Sequence, residues 1–508
     1  MERHLRNQIE RIIDEGQGKA HSVIIQMDTG KEETEELISI ASQAIIGRNM
    51  FLSARDALPP PAEKLQRTTK ASRGRKSRRR RLPDTKSMAE FVATMGFKAT
   101  RKTIERAARR SLIPLLESDI AKRLVSDRKG ARIGHFWSAA SAVLELSKDD
   151  LARLPKDVPG IRDVFVNRPV TLPPVVRVDP ARLPRTVQEN KTSAWGVEAV
   201  GALATWGAYG AKGSGVKVAV LDTGIDADHP DLQGRITTND FAEFDSDGNT
   251  VDGAAVRDTG RHGTHCCGTV AGGNASGHWI GVAPEVSLAA GVVLPRGRGT
   301  DAQILAGMQW AIDRDVDVIS MSLGGLSMSP EVLDTYTRMI ITANRLGISV
   351  VVAIGNEGSQ TSGAPGNDYF AFTVGATDAE DRAAGFSGGR TQVINESRYI
   401  RSDALPLVYS KPDVSAPGVG VKSAVPRGRY EAWNGTSMAT PHVAGAIALL
   451  LSATDIRSNV AANERAYLIQ DLIMGSVEEL GEAGQDHRFG LGRINILKAI
   501  GFAKELGY

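Results

Sequence analysis

The stretch VKVAVLD, residues 216–222, is an apolar run interrupted by one lysine, and it ends on a carboxylate. Three more apolar runs follow it along the chain: VSLAAGVVL at 286–294, VDVISMSL at 316–323 and ISVVVAIG at 348–355. Continuous apolar runs are typical of strands that are covered on both faces, as in a parallel sheet. Segments of helical length and spacing, 300–312 and 331–346, lie between these runs. The pattern predicts a doubly wound α/β fold, in which a mostly parallel sheet is flanked by helices.

Length and composition limit the class of protein. At 508 residues the chain is long enough for more than one domain, and 41% apolar with 24% charged residues is typical of a globular protein. The net charge of +3 commits the chain neither to nucleic acid nor to a membrane. The N-terminus lacks the apolar core of a signal peptide, and no run reaches the roughly 18 apolar residues of a membrane span. The only two cysteines are adjacent, at 266 and 267. We therefore expect a cytoplasmic protein, with export by another route left open.

The first part of the chain differs from the rest in pattern. Strand-like segments such as SVIIQM at 22–27 alternate there with short helical stretches, and four prolines follow between residues 173 and 184. The predicted segments are a charged helix over 1–19, a small α+β domain over 20–170, a linker over 171–193 and the large α/β domain over 194–508.

A basic tract interrupts the small domain. Between Lys64 and Arg81 there are ten basic side chains and no acidic one, shortly after a PPP at 59–61. A run of like charges with few apolar residues stays solvated, so we predict a disordered insertion over about residues 52–87. The tract could be a processing site, a contact for nucleic-acid phosphates or merely a solvated loop, and the sequence does not decide between them.

Three short glycine-marked motifs carry a hydroxyl, an imidazole and a carboxylate. They are DTGID, which begins at Asp222, HGTH, which begins at His262, and GTSMA, which contains Ser437. A serine hydroxyl needs a base to take its proton at neutral pH, and the base needs a carboxylate to hold its tautomer. Three anchored motifs in the order Asp, His, Ser therefore predict hydrolysis of peptide bonds.

Each of these residues also has a simpler interpretation. Asp222 could cap the turn that follows it, and Ser437 could be an ordinary N-cap of the next helix. His265 lies three residues after His262, on the same face of a helix, and competes with it for the role of base. The histidine pair lacks a further ligand at useful spacing, so we expect no metal there.

Six motifs follow one another in the large domain. They are DTGID (222–226), HGTH (262–265), SLGG (322–325), GNEG (355–358), KPDVSAPG (411–418) and GTSMATPHVAG (435–445). In this order they resemble the catalytic domain of the subtilisin-like serine proteases, the subtilases. The resemblance implies that residues 194–508 form a serine endopeptidase domain acting on polypeptide substrates. Residues 20–170 are similar to the propeptide of that family, which implies an intramolecular inhibitor and a zymogen that cuts itself within 171–193.

The resemblance also assigns roles to individual residues. It makes His262 rather than His265 the base, Ser437 the nucleophile and Asp222 the carboxylate. Asn356 would donate its amide to the oxyanion of the tetrahedral intermediate, beside the Ser437 N–H. The substrate main chain would add as an extra strand along a wall of the cleft. The residues expected to bind it are Ser322, Leu323, Gly324, Gly325 and Gly355.

The predicted reaction requires no cofactor, and calcium stays open as a structural ion. Many subtilases bind calcium, and Asp231 matches one carboxylate ligand of a common site. Ala275, however, stands where the pattern offers an amide oxygen. Asp245, Asp247 and Asn249 offer alternating oxygen ligands but lack the rest of a calcium loop, so an acidic surface turn is the simpler interpretation.

One stretch departs from the subtilase pattern. The sequence GGRTQVINESRYIRSDALPLVYS, residues 388–410, follows Ser387 and delays KPDVSAPG. It could form a hairpin beside the substrate cleft or mediate a contact.

Two other functions compete with the endopeptidase. One is a protease fold kept as a nucleic-acid-binding module through Lys64–Arg81. The complete set of three motifs argues against it, so we do not expect nucleic-acid binding. The other is an α/β-hydrolase esterase, which uses G-x-S-x-G, and GTSMA lacks the second glycine.

Overall fold

The computed structural model describes residues 2–16, 18, 20–56, 101–127, 132–173, 175–179, 183, 187, 192–327 and 334–508. The basic tract Lys64–Arg81 and most of the insertion predicted over 52–87 lie outside the described residues, as do several residues of the linker predicted over 171–193. The disorder of the insertion and the limits of the predicted domains therefore stay predictions.

The N-terminal unit, which comprises the described residues from 2 to 166, is built around an antiparallel sheet. Its helices are α1 (Glu2–Glu15), α2 (Lys31–Asp56), α3 (Arg101–Leu116), α4 (Asp119–Asp127) and α5 (Lys148–Asp157). Its strands are β1 (Ala20–Met27), β2 (His135–Phe136), β3 (Ser141–Ser147) and β4 (Ile161–Val166), in the order β2-β3-β1-β4. Alternation along β1 buries Val23 and Ile25 against α1 and α5, whereas Ile24 joins the core of the large domain. This is the predicted small α+β unit.

The large domain is an α/β structure. Its helices are α6 (Trp195–Ala199), α7 (Ala202–Tyr209), α8 (His262–Ala271), α9 (Asp301–Asp313), α10 (Asp334–Arg345), α11 (Thr436–Ala453), α12 (Ile456–Asn459), α13 (Ala462–Met474) and α14 (Ile496–Glu505). Its central strands are β7 (Lys217–Asp222), β8 (Phe241–Glu243), β9 (Ser287–Val292), β11 (Val318–Met321), β13 (Ser349–Ala353), β15 (Phe372–Thr377) and β18 (Val414–Pro417). The shorter strands are β5 (Pro169–Thr171), β6 (Val176–Val178), β10 (Arg298–Thr300), β12 (Gly325–Leu326), β14 (Gly363–Ala364), β16 (Arg390–Ile394), β17 (Leu407–Lys411), β19 (Val421–Val425) and β20 (Arg429–Asn434).

The central sheet confirms the predicted doubly wound fold. Its seven strands have the order β18-β15-β13-β11-β7-β9-β8, and each neighbouring pair is parallel. The strands of the four apolar runs are almost entirely buried, because helices cover both faces of the sheet. The strand order reverses between β7 and β11. Ligands of open α/β sheets bind at the carboxyl ends of the strands beside such a reversal.

Helix α11 is a long, apolar helix of this domain, and most of its residues are buried. Among the described residues, Thr436–Ala453 is the one helix that is long and apolar enough to cross a membrane, and 89% of it is buried inside the protein. A core helix of a globular protein has the same length and composition, and the burial of α11 fits that role.

The chain segment that leaves the N-terminal unit adds a strand to each side of one cleft. Strand β5 pairs with β10, antiparallel, with Val170 opposite Gly299. A few residues later β6 pairs with β20, also antiparallel, with Val176 opposite Asn434. Between these two strands the segment passes the start of α11.

Candidate active site

The carboxylate and the first imidazole form a buried pair. Asp222 is the last residue of β7 and is fully buried, and both of its carboxylate oxygens lie 2.8 Å from Nδ1 of His262. The N–H of Thr223 donates to Oδ1 of Asp222 at 2.7 Å. The carboxylate therefore accepts the Nδ1 proton and orients the ring. The other ring nitrogen, Nε2 of His262, has no hydrogen-bond partner within the described ranges.

Two glycines allow this close approach. Gly224 has a φ of +118°, which a side chain disfavours, and a Cβ on Gly263 would lie 2.1 Å from the carbonyl oxygen of Gly224. The first turn of α8 thus lies directly on the loop that follows β7. The N–H of Gly263 also donates to the hydroxyl of Thr223 at 2.8 Å, which ties the two motifs together.

The pKa of His262 reflects two opposing effects. Burial of the ring disfavours its charged form and lowers the pKa, whereas the Asp222 carboxylate favours the charged form and raises it. The net result is a pKa well above the usual value of 6.5. The thiol of Cys266, 3.7 Å from Nδ1, carries no charge at neutral pH, because burial raises its own pKa to about 11. We attribute the raised pKa of His262 to Asp222.

The other two histidines near the site stay neutral. His265 stacks on the ring of Trp433 with 4.4 Å between centroids, and burial lowers its pKa to about 3. Its Nε2 lies 3.1 Å from the carbonyl oxygen of Val421. Burial also lowers the pKa of His442 to about 4. Of these three histidines, His262 alone has a carboxylate partner, so the geometry favours it over His265 as a base.

Ser437 lies in the first turn of α11 and next to the predicted substrate wall. Its hydroxyl donates to the carbonyl oxygen of Ser322 at 3.1 Å, and the hydroxyl of Ser322 donates back to the carbonyl oxygen of Ser437 at 2.9 Å. The thiol of Cys266 contacts the carbonyl oxygen of Ser437 at 3.5 Å as well as the ring of His262. The main chain of Ser437 and the ring of His262 therefore contact the same buried thiol.

Asn356 is fixed beside the same helix start. Its side-chain oxygen accepts from the N–H and from the hydroxyl of Thr436, both at 2.9 Å. With the oxygen engaged, the amide nitrogen lies 3.5 Å from the position that a Cβ of Gly435 would take. A φ of +113° at Gly355 turns the chain between β13 and Asn356. The amide donor and the N-terminus of α11 thus face one region of the cleft.

The predicted substrate wall lies open on one side and is occupied by the chain's own segment on the other. Ser322–Gly325 follow β11, and apart from Gly325 and its two chain neighbours no atom of the described residues lies within 4 Å of the position that a Cβ of Gly325 would take. Across the cleft, the N–H of Leu172 donates to the carbonyl oxygen of Gly297 at 3.0 Å. A methyl group of Val175 lies 3.3 Å from the Cβ position of Gly435.

The residues named for calcium do not fit that ion. In a calcium site Asp231 would offer both oxygens, but here they accept from the N–H of Ala275 and the hydroxyl of Tyr430, each at 2.6 Å. Asp245 accepts from the N–H groups of Asp247 and Asn249 in a tight turn. Protein donors thus already engage carboxylate oxygens of Asp231 and Asp245 that a cation would need.

Asp222, His262 and Cys266 form a close group of possible metal ligands. Their ligand atoms lie within 4.8 Å of one another, and all three residues are buried. The carboxylate and the imidazole already satisfy each other, and the thiol stays protonated at neutral pH. We therefore assign no metal to this group.

Two features of the site were not predicted from the sequence. The first is Trp433, whose ring stacks on that of His265. Its position four residues before Ser437 was the signal in the sequence that could have indicated this role. Glu431, which is buried, accepts from the Nε1–H of Trp433 at 3.0 Å and pairs with Arg261, the residue before His262. No sequence pattern brings Glu431 and Arg261 together, because their pairing depends on β20 lying against α8.

Fold and site together define the class: a doubly wound α/β protein with an Asp–His pair and a helix-borne serine at the carboxyl edge of its sheet. A model of the subtilase family matches residues 213–492, more than half of the chain. The chain belongs to the subtilase family.

Several characterised members are similar to this chain. Subtilisin NAT of Bacillus subtilis subsp. natto is 40% identical over 261 residues, which cover 50% of this chain and 60% of that protein. The intracellular serine protease of Paenibacillus polymyxa is 37% identical over 281 residues, 54% of this chain and 78% of the relative. The major intracellular serine protease of Bacillus subtilis is 37% identical over 265 residues, 51% of this chain and 74% of the relative. The chain thus spans less than two thirds of the length of subtilisin NAT.

Proposed function

We propose that this chain is a serine endopeptidase that hydrolyses polypeptides through Asp222, His262 and Ser437. The observation that carries the proposal is the buried Asp222–His262 pair, which leaves Nε2 of the imidazole without a partner in the described part of the chain, beside the turn that carries Ser437. In the reaction, the Ser437 hydroxyl turns from the Ser322 carbonyl to Nε2 and gives up its proton as its oxygen attacks the scissile carbonyl. The imidazolium then protonates the leaving amine.

The proposed oxyanion hole consists of Asn356 and the start of α11. Negative charge develops on the carbonyl oxygen in the transition state, and donors fixed in advance stabilise it without reorganisation. Anchoring of the Asn356 side-chain oxygen by Thr436 supports this role, because it fixes the orientation of the side-chain amide beside the start of α11. The N-terminus of α11 adds its backbone N–H groups and dipole. Ser322–Gly325 and Gly355 would hold the substrate main chain.

We extend the proposal to the N-terminal unit as an intramolecular inhibitor of a self-processed zymogen. The pairing of β5 with β10 and of β6 with β20 supports this extension, because it occupies both sides of the cleft at Ser437. A substrate that lies between these two sides would have to displace this segment. Cleavage within 171–193 would free this segment. Two relatives are intracellular by name, which fits the proposed cytoplasmic location.

The direct test is covalent labelling of the serine. A fluorophosphonate probe is expected to label Ser437 in folded, processed protein, because the probe requires an activated hydroxyl and an oxyanion site. Ser437→Ala should remove both the label and self-processing, whereas Ser458→Ala, at an exposed serine beyond the end of α11, should change neither. Peptide mapping by mass spectrometry identifies the modified residue. Folded, processed protein that takes no label at Ser437 would disprove the proposal.

The pH dependence of activity is a second prediction. The base must be unprotonated, and the Asp222 carboxylate holds the pKa of His262 well above 6.5 against the opposing effect of burial. Activity should therefore fall as the pH falls through this raised pKa, so the acid-side midpoint of kcat/KM should lie above 6.5. The measurement is kcat/KM for a neutral peptide from pH 5 to 10. A midpoint below 6.5 would contradict the assignment of His262 as a base strongly coupled to Asp222.

A further inference from the structure

Residues 388–410, which the subtilase pattern does not include, form an arm with a firmly held base. Its strands β16 and β17 pair as an antiparallel hairpin. At the base of the arm, the Tyr409 hydroxyl donates to the carbonyl oxygen of Asn367 at 2.7 Å. The ammonium of Lys411, directly after the arm, donates to the carbonyl oxygen of Ala371 at 2.7 Å. We call residues 388–410 the docking arm. The base of the docking arm is thus part of the large domain.

The tip of the docking arm contacts the N-terminal unit instead. The guanidinium of Arg398 donates to both carboxylate oxygens of Asp163 on β4, with 2.9 Å from Nη2 to Oδ1. Tyr399, fully buried, lies under the guanidinium of Arg162, which is 5.4 Å from the centre of its ring. Two consecutive residues of the arm therefore have partners on one strand of the N-terminal unit.

Asp163 is a carboxylate that requires such a partner. It is 1% exposed, and within the N-terminal unit it receives hydrogen bonds from the side chain of Gln8 at 3.1 Å and from His4 at 3.2 Å. Arg162 approaches it only to 4.0 Å. The bidentate fork of Arg398 is the closest full positive charge that the described residues supply. A buried carboxylate without its cation is strongly disfavoured.

Helix α2 adds charge complementarity over the rest of this interface. Glu33 pairs with Arg338 on α10 at 2.5 Å, and Arg338 is 1% exposed. About one turn further along α2 and two turns further along α10, Glu36 pairs with Arg345. The sign then reverses, because Arg48 of α2 pairs with the buried Asp413 of the large domain. A surface with this pattern of signs matches one partner closely and repels most others.

We propose that residues 388–410 are a docking arm whose partner is the chain's own N-terminal unit, recognised through Asp163. The arm then holds that unit on the large domain after the linker is cut, and so sets how long the cleft stays covered. The consequence for the cleft rests on the proposed function, but the docking itself does not. If the N-terminal unit left, Arg398 and Tyr399 would both become exposed. This exposure is expected of two residues whose role is to bind that unit.

The test uses the full chain and does not depend on catalysis. Ser437→Ala prevents self-cleavage, and a recognition sequence for a sequence-specific protease is inserted between residues 184 and 190. After cutting, the dissociation constant of the two fragments is measured in 0.1 M NaCl by fluorescence anisotropy with a dye on the N-terminal fragment. Arg398→Ala is expected to weaken the complex at least tenfold, because it leaves Asp163 without its bidentate partner. Arg398→Lys should have an intermediate effect, since it keeps the charge but loses the fork.

The matched control lies on the same arm. Arg401→Ala removes an exposed arginine that pairs within the arm with Asp403, and it should change the dissociation constant less than twofold. Circular dichroism and thermal melting verify that each variant is folded. An Arg398→Ala complex as tight as the parent would overturn the proposal, and so would an equal loss in Arg401→Ala. Fragments of the parent that separate at micromolar concentration would also overturn it. None of these outcomes bears on whether Ser437 is a nucleophile.

Discussion

Asp222→Asn is expected to lower kcat for peptide hydrolysis by about 10⁴-fold, with KM nearly unchanged. Both carboxylate oxygens lie 2.8 Å from Nδ1 of His262, so they determine which ring nitrogen carries the proton. An asparagine amide can donate to Nδ1 and stabilise the tautomer whose Nε2 is protonated. That tautomer cannot take the proton of the Ser437 hydroxyl, and the imidazolium also loses its counter-charge.

Steady-state kinetics on a fluorogenic peptide tests this expectation. Asp228→Asn, at an exposed carboxylate six residues further along the same loop, is the control and should retain full activity. Because the Asp222 carboxylate raises the pKa of His262, the residual activity of Asp222→Asn should also have an acid-side midpoint at lower pH than the parent. A loss below tenfold would mean that the buried pair is structural and that another group activates the serine.

Asp413→Asn is expected to lower the free energy of unfolding by about 3–5 kcal/mol. Asp413 is fully buried and pairs with both Arg48 and Lys411, and it accepts from the N–H of Thr373 at 2.7 Å. Removing the carboxylate charge leaves two buried cations with one neutral amide. Burial already lowers the pKa of Lys411 to about 8, so the lysine can relieve part of the cost by losing its proton.

Urea unfolding at pH 7, monitored by circular dichroism, measures this loss of stability. The experiment is done in the Ser437→Ala background so that self-cleavage does not interfere. Asp403→Asn removes an exposed carboxylate that pairs with Arg401, and no measurable change is expected. Melting should show the N-terminal unit loosening together with the large domain, because Arg48 belongs to α2. An Asp413→Asn protein as stable as the parent would show that Arg48 and Lys411 find other partners.

The sequence was sufficient for four of the seven strands of the central sheet, because their signals are local. The four apolar runs became β7, β9, β11 and β13, as expected of strands that are covered on both faces. The motifs of Asp222 and His262 were equally informative. Each carries its own glycine, and the contact between Gly224 and Gly263 is what allows the pair to form.

Other parts of the site depend on distant pairings that no local pattern encodes. The contact of the Ser437 hydroxyl with Ser322, rather than with the imidazole, is set by how α11 meets β11. The arm at 388–410 forms a hairpin and also contacts the N-terminal unit, although the sequence left a hairpin beside the cleft and a contact as alternatives. Its position beside the substrate cleft stays a prediction. Its partner Asp163 could not be inferred, because an arginine and an aspartate 235 residues apart carry no mark of their pairing.

Strands β5 and β6 make the segment at 169–178 a bivalent ligand of its own domain. While the chain between them is intact, each short strand keeps the other at a high effective concentration over its partner edge. One broken peptide bond between the two strands would turn this ligand into two monovalent ones of three residues each. The β6 side would then stay covalently joined to the large domain, into which the chain continues, whereas the β5 side would leave the cleft together with the N-terminal unit. A single hydrolytic event could thus clear the two halves of the cleft at very different times.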